Sequence, residues 1–239
     1  MTAGPRGLLL DVGGVLVLPR QERVSAALAA VGAPHDPSRI DAAHYSGIAA
    51  IDEPDVPAAE RSTVYRAAFV VAVDVPRSLR GLASEALAAA FRAPGAWSRA
   101  APGAVELLTA CAANDLPVGI VSNWDGTVAR LLAEAAICQV GPGPLPKVGV
   151  IIDSAVVGWE KPDPRIFGAA LDALGVGPAE TIHVGDSVRT DVDGAFATGI
   201  EPLHLDPIGR CADESHGNVP SLGRVAARLG FDFPSAQVV

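Results

Sequence analysis

What most constrains this chain is a series of short apolar runs, each ending at a polar residue or a glycine. Leu8-Leu9-Leu10-Asp11-Val12, Val118-Gly119-Ile120-Val121, Val150-Ile151-Ile152 and Thr181-Ile182-His183-Val184 read as buried strands running into turns, with Pro202-Leu203-His204-Leu205 a weaker fifth. Helical periodicity fills 102–114, 126–136, 164–174 and 189–198. Asp125 and Asp163 are expected as N-caps, and Gly175 and Gly199 as C-terminal stops. Continuous apolar strands alternating with helices predict an α/β fold, a doubly wound parallel sheet covered on both faces.

Residues 20–94 break that rhythm. They are rich in alanine, punctuated by Pro34, Pro37, Pro54, Pro57, Pro76 and Pro94, and periodic as helices over 21–31, 38–51, 58–73 and 77–91. Within them 69–73, with three valines and a Phe, also suits a strand. The expected organisation is a core domain of 1–19 and 95–239 interrupted by an all-α cap domain of 20–94, with 93–101 as the return linker. A polar loop is expected over 209–220, a last helix over 221–229, and a frayed tail after Pro234.

Composition limits what such a chain can do. Of 239 residues, 49% are apolar and 19% charged, which supplies a sizeable core and excludes disorder. Forty-three alanines against six Phe, three Trp and two Tyr mean a core of small aliphatic side chains. A net charge of −9 argues against nucleic acid and against an anionic membrane surface as partners. An anionic small substrate then needs a metal or a local cation to offset the field, and the chain has only two lysines, Lys147 and Lys161. No run approaches the roughly 18 apolar residues of a membrane span. The apolar start is broken by Asp11 and lacks a signal-peptide cleavage pattern. Cys111, Cys138 and Cys211 show no metal-ligand spacing and read as buried apolar residues of a cytoplasmic, reducing compartment.

Four positions carry chemistry. Asp11 closes the first strand, where ligands of doubly wound sheets bind, and Gly13-Gly14 let the backbone approach a ligand. It suits a nucleophile or a metal ligand; a turn-capping Asp is the ordinary alternative. Ser122 and Asn123 end the second strand with groups that suit an anion, or simply a turn. Lys161, in Gly158-Trp159-Glu160-Lys161-Pro162-Asp163-Pro164, is a point charge able to balance carboxylates or hold a phosphoryl oxygen. In His183-Val184-Gly185-Asp186-Ser187-Val188-Arg189-Thr190-Asp191, Asp186 ends a strand and Asp191 enters the next helix. Two hard oxygen ligands so placed can share one Mg²⁺.

Together and in this order, these elements resemble the haloacid dehalogenase superfamily: Asp11 in LLLDVGGVL, Ser122 in VGIVSN, Lys161 in EKPDPRIF and the acidic pair in HVGDSVRTD. The resemblance covers about 6–18 and 95–210, and the helical insertion is similar to the cap that one subclass carries there. It implies that Asp11 attacks a phosphoryl group and forms an aspartyl-phosphate that water hydrolyses. It further implies Mg²⁺ held by Asp11, the Gly13 carbonyl and Asp186, with Asp191 binding directly or through water, and the transferring group held by Lys161 and Ser122 beside Asn123 and Gly14.

One position departs from the family's phosphatases, which carry a second Asp two residues after the nucleophile as general acid and base. Here it is Gly13, whose carbonyl still serves a metal but which moves no proton. The loss is worth about 10²–10⁴-fold, or roughly 2.7–5.5 kcal/mol of barrier. Aryl or anomeric sugar phosphates suffer least; His35, His44, Tyr45 and Glu53 of the cap are candidate substitutes or ordinary packing residues. The sequence thus points to a Mg²⁺-dependent phosphatase of a small phosphorylated metabolite. The alternatives are a catalytically weak metabolite- or partner-binding protein and metal-free carbon–halogen cleavage by Asp11. No feature of the sequence sets the oligomeric state.

Overall fold

The computed structural model describes residues 4–234, so the tail expected to fray after Pro234 lies outside the described residues. The chain forms two compact units, one from the residues up to Val17 and from Ala100 onward, the other Leu18–Arg99.

The first unit is built on six parallel strands: β1 (Gly7–Leu10), β2 (Val118–Ser122), β3 (Val150–Asp153), β4 (Thr181–Gly185), β5 (Glu201–Leu205) and β6 (Gly217–Val219). Their spatial order is β6-β5-β4-β1-β2-β3. Leu8, Leu9 and Leu10 are wholly buried, as a central strand covered on both faces requires. Leu9, Val121 and Ile152 line up across one face and receive Ile166, Phe167 and Ala170, while Leu8 and Leu10 alternate to the other. The helices of this unit are α5 (Ala104–Ala113), α6 (Val128–Glu134), α7 (Ser154–Val157), α8 (Pro164–Leu174), α9 (Asp193–Thr198) and α10 (Leu222–Leu229).

Five sequence expectations need correction. Strand β6 lies inside the expected polar loop; its Gly-Asn-Val has no apolar alternation, and edge pairing with Leu203 and Leu205 makes it a strand. Asp125 does not cap α6: it accepts from Thr127 N–H and hydroxyl, and the helix starts two residues later. The expected helix 189–198 is a π-helical turn, Val188–Val192, followed by α9. Helix α7 was not anticipated; Asp153 caps it by accepting from Ala155 N–H at 3.1 Å. Finally, Cys111 and Cys138 are buried, with burial raising both thiols to about 12, but Cys211 is only half-buried and lies against His216. Asp163 does cap α8, and Gly175 and Gly199 do end α8 and α9.

The second unit holds α1 (Gln21–Ala30), α2 (Ile40–Asp52), α3 (Arg61–Ala72) and α4 (Arg80–Arg92). The ambiguous 69–73 stretch finishes α3, because Phe69 and Val70 fill a helical core with Val24, Leu28, Ile40 and Leu87. His44 and His35 are tied within this unit. His44 Nδ1 lies 2.8 Å from the Tyr65 hydroxyl, and His35 Nε2 lies 3.0 Å from Ser25 Oγ. Among the described residues, no helix is long and apolar enough to cross a membrane.

Candidate active site

The sheet order reverses at β1, which lies between β4 and β2, and the carboxyl ends of these strands are where such a sheet leaves a crevice. Asp11 follows β1 and is pinned by its backbone N–H, which donates to the Val184 carbonyl at 2.9 Å. Asp186 follows β4, and Ser122 closes β2. Lys161 reaches in from the segment before α8 and donates to Asp11 Oδ1 at 2.5 Å and to Asp191 Oδ1 at 2.6 Å. Carboxylate oxygens of Asp11, Asp186 and Asp191 all lie within 4.8 Å of one another. These four residues are buried.

The spacing of the acidic pair has a steric cause. A Cβ on Gly185 would overlap the Asp191 side chain, so a residue without one must precede Asp186 for Asp191 to fold back over the strand end. Both Asp191 oxygens are then engaged. Oδ1 meets Lys161 and, at 2.8 Å, His183 Nε2; Oδ2 accepts from Ser187 N–H at 3.3 Å and from the Thr190 hydroxyl at 3.2 Å. His183 is the site residue that the sequence reading left without a role. Burial lowers its pKa, so the ring is neutral and Nε2–H donates to Asp191.

The charges do not balance. Burial raises the Asp11 carboxyl to about 7; the Lys161 charge pulls it back, while Asp191 and Asp186 push it further up. Burial also opposes ionisation of Asp191, but Lys161 and His183 outweigh it and hold this carboxyl below the usual range. Lys161 is opposed by burial too, and its two carboxylates hold it above the ordinary lysine value. Three buried carboxylates beside one ammonium, all offering hard oxygen donors, suit a divalent cation.

The remaining predicted residues fall into two groups. Asn123 braces Lys161: its Nδ2 donates to the Lys161 carbonyl at 3.0 Å and its Oδ1 accepts from the Lys161 N–H at 2.7 Å. Gly14 has φ 72° and donates its N–H to the Val17 carbonyl at 2.9 Å, closing the turn after Asp11. Gly13 faces open space, since a Cβ there would meet no atom within 4 Å. Asp153 was missed. It accepts from the N–H groups of Gly126, Val128 and Ala155 and so shapes the loop after Ser122; the Asp that ends the Val150-Ile151-Ile152 run was the available signal.

Residues 5–199 match the haloacid dehalogenase-like hydrolase family. Among curated proteins, the haloacid dehalogenase-like hydrolase domain-containing protein 3 of Bos taurus is 32% identical over 147 residues, 59% of this chain and 55% of that protein. The phosphoglycolate phosphatase of Rhodospirillum rubrum is 35% identical over 133 residues, 56% of this chain and 50% of that one. The matched part is thus about half the length of these relatives. Among solved structures, a phosphatase of this superfamily from Thermococcus onnurineus superposes with a TM-score of 0.58 at 19% identity, covering 96% of this chain and all of that one. Strand order, the convergence of Asp11, Lys161, Asp186 and Asp191, and the match over residues 5–199 lead to one statement: the chain belongs to the haloacid dehalogenase-like hydrolase family.

Proposed function

We propose that this hydrolase is a Mg²⁺-dependent phosphomonoesterase that acts on a small phosphorylated metabolite through an aspartyl-phosphate. The observation that carries the reading is Lys161, which ties Asp11 to Asp191 beside a third carboxylate and leaves the cluster short of positive charge. Relatives named as phosphatases, among them the phosphoglycolate phosphatase above, support it.

An Asp11 oxygen attacks phosphorus in line with the leaving oxygen. The new bond forms as the old P–O bond breaks, and the leaving oxygen keeps the electron pair. Water then attacks the acyl phosphate, freeing phosphate and restoring the Asp11 carboxylate. Lys161 and Ser122 hold the phosphoryl oxygens, Asn123 positions Lys161, and Gly14 shapes the turn. Asp11, Asp186 and the Gly13 carbonyl would hold the ion, with Asp191 binding it directly or through water while it also holds Lys161. When bound, Mg²⁺ neutralises the carboxylates and draws charge from the phosphoryl group.

Gly13 offers no proton, so the leaving group departs unassisted or takes a proton from solvent. That missing side chain favours the second reading, a catalytically weak protein that binds a metabolite at this site. Phosphate release from p-nitrophenyl phosphate and from alkyl and sugar phosphates, with Mg²⁺ and with EDTA, separates the two. Turnover that needs Mg²⁺ and vanishes in Asp11→Asn supports the phosphatase. Tight binding of a phosphate analogue without turnover on any ester supports the binding protein.

A further inference from the structure

We propose that His204, Cys211 and His216 form a second metal site, for a thiophilic divalent ion such as Zn²⁺, separate from the carboxylate cluster. His204 lies on β5, Cys211 on the loop after it, and His216 immediately before β6. One ligand atom from each lies within 4.8 Å of the other two.

The spacing already fits an ion. Cys211 Sγ is 3.5 Å from His216 Nε2. A tetrahedral zinc with Zn–S of about 2.3 Å and Zn–N of about 2.0–2.1 Å holds its sulfur and nitrogen about 3.6 Å apart. His204 offers a ring nitrogen within 4.8 Å of both. Imidazole and thiolate select zinc-like ions, whereas Mg²⁺ prefers the all-oxygen cluster of Asp11, Asp186 and Asp191, so the two sites sort their metals by chemistry.

The surroundings orient the ligands. His216 Nδ1 is buried without a hydrogen-bond partner among the described residues, and Asp213 Oδ2 stands 3.8 Å from it. A carboxylate behind the non-ligating nitrogen is the usual companion of a metal-bound histidine. His204 Nε2 lies 3.1 Å from the Asp186 carbonyl and Nδ1 lies 3.1 Å from Asn218 Oδ1, so both ring nitrogens face oxygen acceptors. The Asp186 carbonyl belongs to the backbone whereas the Asn218 side chain can rotate; on binding, the proton stays on Nε2, Asn218 gives way and the Nδ1 lone pair takes the ion. Asp206 Oδ2 accepts from Cys211 N–H at 2.7 Å and holds the loop in place. On binding, Cys211 forms the S–metal bond and releases its proton to solvent, and water fills the fourth position. Through His204, the ion also fastens the backbone of Asp186.

The test uses the full chain in excess Mg²⁺, which keeps the carboxylate cluster filled. Zn²⁺ uptake is measured by equilibrium dialysis with elemental analysis, and Co²⁺ is added in parallel as a spectroscopic probe. One equivalent of Zn²⁺ and a thiolate-to-cobalt charge-transfer band are expected. Cys211→Ser should abolish the band, and Asp213→Asn should weaken Zn²⁺ binding roughly 10–100-fold. His216→Asn is a second ligand variant should Cys211→Ser fold poorly by circular dichroism. A wild-type chain with no charge-transfer band, or a band and uptake unchanged in the ligand variants, overturns the proposal.

Discussion

Asp191 folds back over Gly185, in the space that a Cβ at position 185 would occupy. Gly185→Ala therefore forces Asp191 off Lys161 and His183. We expect a loss of about 1–3 kcal/mol of stability, the usual cost of overpacking, together with most of the hydrolase activity. Urea unfolding and a phosphate-release assay check this; wild-type values in both would show that Asp191 does not need that space.

Among the described residues, Lys161 is the cation that meets both Asp11 and Asp191, and all three side chains are nearly shut off from solvent. Removing one partner of a buried ion pair costs about 3–5 kcal/mol. Lys161→Met should lose stability on that scale at pH 8 and less near pH 5, where Asp11 takes up a proton. Lys161→Arg should not restore activity, since the forked guanidinium does not match the ammonium geometry. Denaturation midpoints at the two pH values decide the matter.

The contribution of Asp11 to the stability of the metal-free chain should fall as pH rises. The Asp11 pKa is about 7 in the folded chain against 3.8 as the ordinary value, so between these limits the folded state binds more protons than the unfolded state. Its contribution is fully present below 3.8 and is lost as pH passes through about 7. In EDTA at pH 8, Asp11→Asn should stabilise the chain, because a buried charge is removed while Lys161 keeps Asp191 as its partner. Mg²⁺ should stabilise the wild type at pH 8 and the variant far less. Thermal unfolding at pH 5 and pH 8, with and without Mg²⁺, would expose a flat profile if the charge were already balanced.

Position 13 has room for the missing acid, because a Cβ there meets nothing within 4 Å. Gly13→Asp should raise kcat/KM on alkyl phosphates by up to about 10²–10⁴-fold and change p-nitrophenyl phosphate turnover much less. A gain equal on both substrates would point to improved metal binding instead.

How much of this was legible in the sequence depended on how locally each feature is determined. The five runs anticipated as strands are strands, because an apolar run ended by a polar residue or a glycine carries its burial in its own composition. Helix α8 runs over the expected 164–174, since Asp163, Pro164 and Gly175 mark its ends through local capping chemistry. Boundaries failed where a distant partner intervened. Asp153 takes the N–H groups of Gly126 and Val128, and α6 starts late; β6 exists only because β5 lies beside it.

By itself, the sequence determined the alternation of strands and helices, the helical interruption, and the identities of Asp11, Lys161, Asp186 and Asp191. Each of these is written in residue type and short-range order. Only the tertiary structure decided how those side chains share their charge, that Asn123 supports Lys161, and that Cys211 lies near His204 and His216. Hydrogen bonds and ligand distances act through space over a few ångströms. Strand order, and not chain position, brings residues 150 apart, such as Asp11 and Lys161, within that reach.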